Sequence, residues 1–184
     1  NQYTLTVSAT EGGTSIGGGN YNHGTTPTIA ATPITGHHFV NWTGATVANA
    51  NSATTTVTMD QSHNVTANFA IDQHVLTVNA GTGGSVSGAN TYNYDENASV
   101  TATADAGYHF DYWTGAGTTD PSSSSTYVHM TADRNVSAVF APNEYLLTLS
   151  AGNGGSVAGE GNYTYGTSAS ITATSDSNHH FVSW

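Results

Sequence analysis

Three tryptophans, Trp42, Trp113 and Trp184, stand 71 residues apart, and the rest of the chain keeps that register. Leu5, Leu76 and Leu147 recur at the same spacing, as do Gly12, Gly83 and Gly154, then Tyr21, Tyr92 and Tyr163, then Phe39, Phe110 and Phe181. No insertion or deletion is needed to align them. A fixed period of this length means that one small folding unit is used several times, so the 184 residues do not describe a single large domain. Two complete copies span residues 2–71 and 73–141. A third spans 144–184 and reaches only its own Trp184, without the segment that would supply its last strands. Two readings of that third copy stand side by side: a polypeptide that continues into further repeats, or a neighbouring chain that adds the missing strands and so builds a filament.

Within each copy the apolar residues alternate with polar ones. Leu5, Val7 and Ala9 interleave with Thr4, Thr6 and Ser8, and Leu76, Val78 and Ala80 repeat the pattern. A period of two is the mark of a strand with one buried face. The pair Gly12-Gly13, with Gly83-Gly84 and Gly154-Gly155, then predicts a tight reversal and a hairpin. Further strands are expected over Thr28–Thr32 with Ile29 and Ala31 inward, around Phe39–Trp42, over Thr54–Met59 with Val57 and Met59 inward, and at Val65, Ala67 and Phe69. The expectation is an all-β chain of tandem small domains, such as small sandwiches, with about five or six strands each. Trp42, Trp113 and Trp184 with Phe39, Phe110 and Phe181 are the expected structural core. Phe39 and Trp42 have opposite parity, so a regular strand would send them to opposite faces; a bulge or turn between them is expected. The linkers Ile71-Asp72-Gln73 and Ala141-Pro142-Asn143-Glu144 are short, and the proline restricts φ, which points to an elongated rod.

Charge removes whole classes of function. Twelve acids face one base, Arg134, giving a formal net charge of −11, and lysine is absent. Phosphate-rich partners require clustered Lys or Arg, so nucleic acid and anionic membrane surfaces are unsuitable partners. Lysine's absence also removes isopeptide crosslinks. With no Cys there is no disulfide, thiolate metal site or cysteine nucleophile. No apolar run is long enough to span a bilayer as a helix, and no basic-then-apolar leader stands at Asn1, as in a mature or trimmed segment.

The unit Tyr3-Thr-Leu-Thr-Val, Gly12-Gly13, Tyr21 to Gly24, Gly36-His-His-Phe39-Val-Asn-Trp42 and Val65-Thr-Ala-Asn-Phe69 resembles the divergent internalin B-type repeat of bacterial surface proteins. The resemblance covers the whole chain. It implies a β-grasp-like module of exported proteins that acts in stalks, spacers and adhesion segments and carries no catalytic site. Asp95-Glu96 departs from the pattern where the other copies have Gly24-Thr25 and Gly166-Thr167, and His37 and His179 stand in place of an aromatic such as Tyr108.

Several residues invite chemistry. His38, His109 and His180 recur in every copy, and the doublets His37-His38 and His179-His180 stand out, but neighbours on a strand point to opposite faces and cannot chelate one ion. The histidines are read as structural groups beside the Trp. Asp95, Glu96, Asp105, Asp111, Asp120 and Asp133 crowd the second copy without an Asp-x-Asp-x-Asp-Gly loop, so calcium is the one cofactor considered, and none is expected. Tyr21 and His23, Tyr92 and Tyr94, and Tyr163 and Tyr165 lie two apart. Each pair shares a strand face that could stack on sugar rings or cover the core. Candidate N-glycosylation sequons begin at Asn41, Asn64, Asn97, Asn135 and Asn162. Of these, Asn64 and Asn135 occupy the same repeat position with outward parity.

No nucleophile elbow, phosphate loop or dinucleotide fingerprint is present. The expected function is a structural or adhesive segment of a large extracellular surface protein or filament, a stalk or spacer whose partners are neighbouring repeats or chains. The alternative is a glycan-binding adhesin that uses the aromatic stripes.

Overall fold

The computed structural model describes residues 1–184 and is all-β, with no helix. The first repeat has seven strands: β1 (Gln2–Ala9), β2 (Gly13–Ile16), β3 (Gly19–Asn22), β4 (Thr28–Pro33), β5 (His37–Gly44), β6 (Thr54–Thr56) and β7 (His63–Ile71). The second repeats them as β8 (Gln73–Ala80), β9 (Gly84–Ser87), β10 (Asn90–Asn93), β11 (Glu96–Ala104), β12 (Tyr108–Thr114), β13 (Ser125–Met130) and β14 (Arg134–Pro142). The third contributes β15 (Glu144–Leu147), β16 (Gly155–Ala158), β17 (Gly161–Thr164) and β18 (Thr172–Ser175). Seven strands replace the expected five or six because the stretch after the glycine pair forms two short strands, which have too few residues to show a period.

Each complete repeat holds two small sheets. In the first they are β3-β1-β7-β5 and β2-β4-β6; in the second, β10-β8-β14-β12 and β13-β11-β9. This corrects the hairpin expected at the glycine pair. Gly12, at φ 97°, does reverse the chain, but β1 and β2 belong to different sheets, and β1 pairs instead with β3, antiparallel, from Gln2↔Asn22 to Leu5↔Gly19. Glycine supplies the turn; which sheet the next strand joins is decided by the core. At its centre the larger sheet has a parallel pair, β1 with β7, registered from Leu5↔His63 to Ala9↔Ala67.

The two sheets of the first repeat face each other across one core. Leu5, Ile29, Ala31, Trp42, Val57, Met59, Val65 and Ala67 form it, and Tyr21, Phe39 and Phe69 pack against its margin. These are the inward residues the alternation predicts. Their counterparts Leu76, Val100, Ala102, Trp113, Val128, Met130, Val136 and Ala138 are equally buried in the second repeat. Burying a side chain of this size contributes about 1.5–3 kcal/mol.

Close approach explains one glycine. A Cβ on Gly13 would overlap the Phe69 ring, and one on Gly84 would overlap Phe140, so the ring that closes the core lies directly on bare backbone.

The bulge expected in β5 is present. Phe39 pairs with Phe69, but Asn41 pairs with Asn68, which leaves Val40 as the extra residue; in β12 the same slip falls between Phe110 and Tyr112. In the third repeat Phe181 and Trp184 keep the aromatic contact, at 5.4 Å between ring centroids. No strand of the chain covers them there, so Trp184 is 61% exposed against 3% for Trp42.

The chain divides into two compact units. One holds residues 1–76, 90–98 and 129–134; the other holds 77–89, 99–128 and 135–184. Each joint between successive repeats lies inside one of these units.

Candidate functional site at the joint between repeats

A single residue separates one repeat from the next. β7 ends at Ile71 and β8 begins at Gln73, so Asp72 alone is the linker; β14 ends at Pro142 and β15 begins at Glu144, leaving Asn143. A flexible tether needs backbone groups bonded to water. Here those groups are bonded to protein.

In the first unit the Asp72 amide donates to the Gly36 carbonyl at 2.8 Å, and the Tyr94 amide donates to the Asp72 carbonyl at 2.8 Å. The Asp72 carboxylate accepts from His38 Nδ1 at 2.7 Å. The second unit repeats the set. Asn143 N donates to the Gly107 carbonyl at 2.8 Å, Tyr165 N donates to the Asn143 carbonyl at 2.8 Å, and His109 Nδ1 lies 2.9 Å from Asn143 Oδ1. Each linker residue therefore makes one donor and two acceptor bonds that tie the β4–β5 turn (β11–β12 in the second repeat) to the first strands of the following repeat.

An aromatic ring completes each joint. Tyr94 covers Gly36 so closely that a Cβ on the glycine would overlap the ring, and Tyr165 covers Gly107 in the same way. Tyr94 also lies 6.2 Å from His74, and Tyr165 lies 6.2 Å from Tyr108, edge to face.

Which bond matters most follows from exposure. The His38 side chain is 57% exposed and that of Asp72 37%, and an ion pair so wet contributes about 0–1 kcal/mol. The two backbone bonds and the seated ring hold the joint; the imidazole orients the linker side chain. His38 and His109 thus belong to the joint, where the sequence placed them beside the Trp. The reason is the bulge, which shifts the start of β5 relative to Trp42. His37, Tyr108 and His179 each have a ring on the glycine of their repeat's first turn, Gly12, Gly83 or Gly154, and Tyr108 also reaches the joint through Tyr165.

The tyrosine stripes are divided between two duties. Tyr21 packs against the core margin and its hydroxyl donates to the Gly17 carbonyl at 2.9 Å, as Tyr163 does to Gly159 at 2.8 Å. Tyr92, at the same position, is half-buried, while Tyr94 and Tyr165 are the joint rings.

The acids of the second repeat do not converge. Glu96 Oε2 accepts from Asn93 N and Asp120 Oδ1 from Ser122 N as local turn caps, while Asp95 meets His129 at 2.6 Å and Asp133 Oδ1 accepts from Val75 N, each across a long stretch of sequence. No three His, Asp or Glu side chains come together in a metal-sized group. The Asp60–His63 pair, 2.8 Å apart, borders a shallow recess lined by Gly44–Ala48 and Gln61. The hydrogen bond from His63 holds the Asp60 carboxyl below its ordinary range.

Of the sequons, Asn64, Asn97, Asn135 and Asn162 are exposed. Asn41 is half-buried and its Oδ1 accepts from Asn68 Nδ2 at 2.9 Å; the Asn135 Oδ1 accepts from Asn79 Nδ2 at 2.7 Å.

The family model for the divergent InlB B-repeat domain matches three times in succession, at residues 3–73, 74–144 and 145–184. The chain belongs to that family. Its successive matches abut at the same joints, so Asp72 and Asn143 fall within the closing residues of one InlB B-repeat and the strands that follow open the next. No curated protein and no solved structure matches the chain. As a set of InlB B-repeats, the molecule offers its joint as the feature that sequence reasoning missed. The signal was present in the recurrence of Gly36 as Gly107, of His38 as His109, and of an acceptor side chain at Asp72 and Asn143.

Proposed function

We propose that this chain is a structural segment of a large extracellular surface protein or filament, a stalk or spacer that carries other domains and performs no catalysis. One observation carries the reading: consecutive repeats are joined by one residue whose backbone groups are bonded on both sides and whose neighbour is pinned by a ring. A linker built to let modules move would be longer and solvated. The family supports the location, since repeats of this kind are typical of surface proteins. The charge supports it too: an uncrosslinked, lysine-free surface of net charge −11 repels other acidic surfaces and stays soluble.

The adhesin alternative receives less support, because the rings that would stack on sugars pack internally or at the joints. Antibody labelling of intact producing cells tests location: the epitopes should be reached without permeabilisation, and access only after permeabilisation would overturn the proposal. A glycan array tests the adhesin. Binding lost in the Tyr92→Ala, Tyr94→Ala double variant with the fold retained would transfer the role to recognition.

A further inference from the structure

The turn between the fourth and fifth strand positions is the same in all three repeats. Its closing bonds are His37 N to Ile34 O, Tyr108 N to Asp105 O and His179 N to Asp176 O, each 3.1 Å. A second set fastens it to the first turn: Ile34 N to Gly12 O at 3.0 Å, then Asp105 N to Gly83 O and Asp176 N to Gly154 O at 2.9 Å. The residue at the tip differs. Gly36 and Gly107 have φ of 75° and 84°; the third repeat has Asn178 at φ 66°. Asparagine is one of the few residues that adopt this left-handed conformation at small cost, so the backbone is unchanged and only a side chain has been added.

That side chain stands on the seat of the ring. At Gly36 and Gly107 even a lone Cβ would overlap Tyr94 or Tyr165, and Asn178 brings a Cβ and a carboxamide. Meanwhile His180 keeps the place of His38 and His109, so the bond to an acceptor linker remains available.

We propose that the residue at this turn tip selects which repeat can be clamped on. Gly36 and Gly107 accept a successor with an aromatic ring at the Tyr94 position. The third repeat, with Asn178, presents a docking surface for a repeat of the same fold whose residue there is small. A ring-bearing successor at that surface is held by linker bonds alone, which makes it a looser joint. Selection of this kind depends on joint geometry and is independent of what the array carries.

The second joint can be converted to the third repeat's state in the chain as it exists. Because there is no native Cys, cysteines introduced at the exposed Ser124 and Ser168 carry two spin labels with no other labelling site. Pulsed dipolar spectroscopy then reads the distance distribution across the joint. The parent should give one narrow peak, and Gly107→Asn should lose it to a broad distribution while the Trp113 fluorescence of the folded repeat is retained. Tyr165→Ser, which leaves the turn untouched, should broaden the peak as well, and adding Gly107→Asn to Tyr165→Ser should narrow it again, because the asparagine then faces a small residue; a double variant as broad as Tyr165→Ser alone overturns the selection. A narrow peak in folded Gly107→Asn overturns the proposal. So does a narrow peak in Tyr165→Ser, whether or not the Gly107 variant folds.

Discussion

Phe39 and Trp42 lie three apart on one strand, yet their ring centroids are 5.7 Å apart on the same side of the sheet, because Val40 is squeezed out of the ladder between them. Phe110 and Trp113 repeat the arrangement at 5.7 Å. The bulge brings two large rings to one core and lets the Trp42 indole donate to the Ser52 carbonyl at 3.0 Å. Trp42→Ala is therefore expected to destabilise the first repeat by about 3–5 kcal/mol in urea unfolding, since it leaves a cavity and an unbonded carbonyl. Val40→Thr, at a position 45% exposed, should change stability by less than about 0.5 kcal/mol.

Gly13 and Phe69 make the second test. Adding a methyl at Gly13 forces the Phe69 ring to move, and overpacking of this kind costs about 1–3 kcal/mol. Combining Gly13→Ala with Phe69→Leu should recover part of that loss, so the two changes together cost less than their sum. Strict additivity in the unfolding free energies would mean that the contact is not the cause.

The Tyr21 hydroxyl donates to the Gly17 carbonyl across the turn that connects the two sheets. Tyr21→Phe removes that bond and keeps the ring, with an expected loss of about 1 kcal/mol measured by denaturant midpoint. Tyr163→Phe should destabilise the third repeat through the same bond to Gly159.

Acid should weaken the first repeat through Asp60. Its carboxyl is held below the ordinary aspartate range, first by the hydrogen bond from His63, against a smaller opposing effect of desolvation. A depressed folded-state pKa stabilises the fold above the unfolded-state value, and that stabilisation disappears as pH falls through the folded-state value. The window is the acid range, below the ordinary aspartate midpoint. Carboxyl-carbon NMR should show Asp60 titrating low in the parent and returning towards its ordinary value in His63→Ala; an unmoved midpoint would remove His63 as the cause.

The sequence revealed the core well and the connections poorly, for physical reasons. Alternation identified Leu5, Ile29, Val57, Met59 and Val65 because burial on one sheet face imposes a period of two wherever a strand lies. The parity conflict at Phe39 and Trp42 exposed the bulge for the same reason. Pairing partners leave no such trace. That β1 lies beside β7, with Val7 opposite Val65, depends on contacts nearly sixty residues apart in sequence, and a glycine pair marks a reversal without naming the sheet that follows. The joint was hidden differently. Asp72 and His38 look like ordinary exposed polar residues, and Tyr94 like half of an aromatic stripe, until the fold brings them to Gly36.

The parallel pairing of β1 with β7 has a mechanical consequence. The chain enters the repeat at the start of β1 and leaves at the end of β7, and the two strands run the same way side by side. Tension applied at those ends pulls the strands in opposite senses along their length, so the ladder from Leu5–His63 to Ala9–Ala67 is sheared as a whole and cannot be peeled rung by rung. Rupture then requires many bonds to fail at once, and a module with neither disulfide nor covalent crosslink resists stretching by the order of its strands alone.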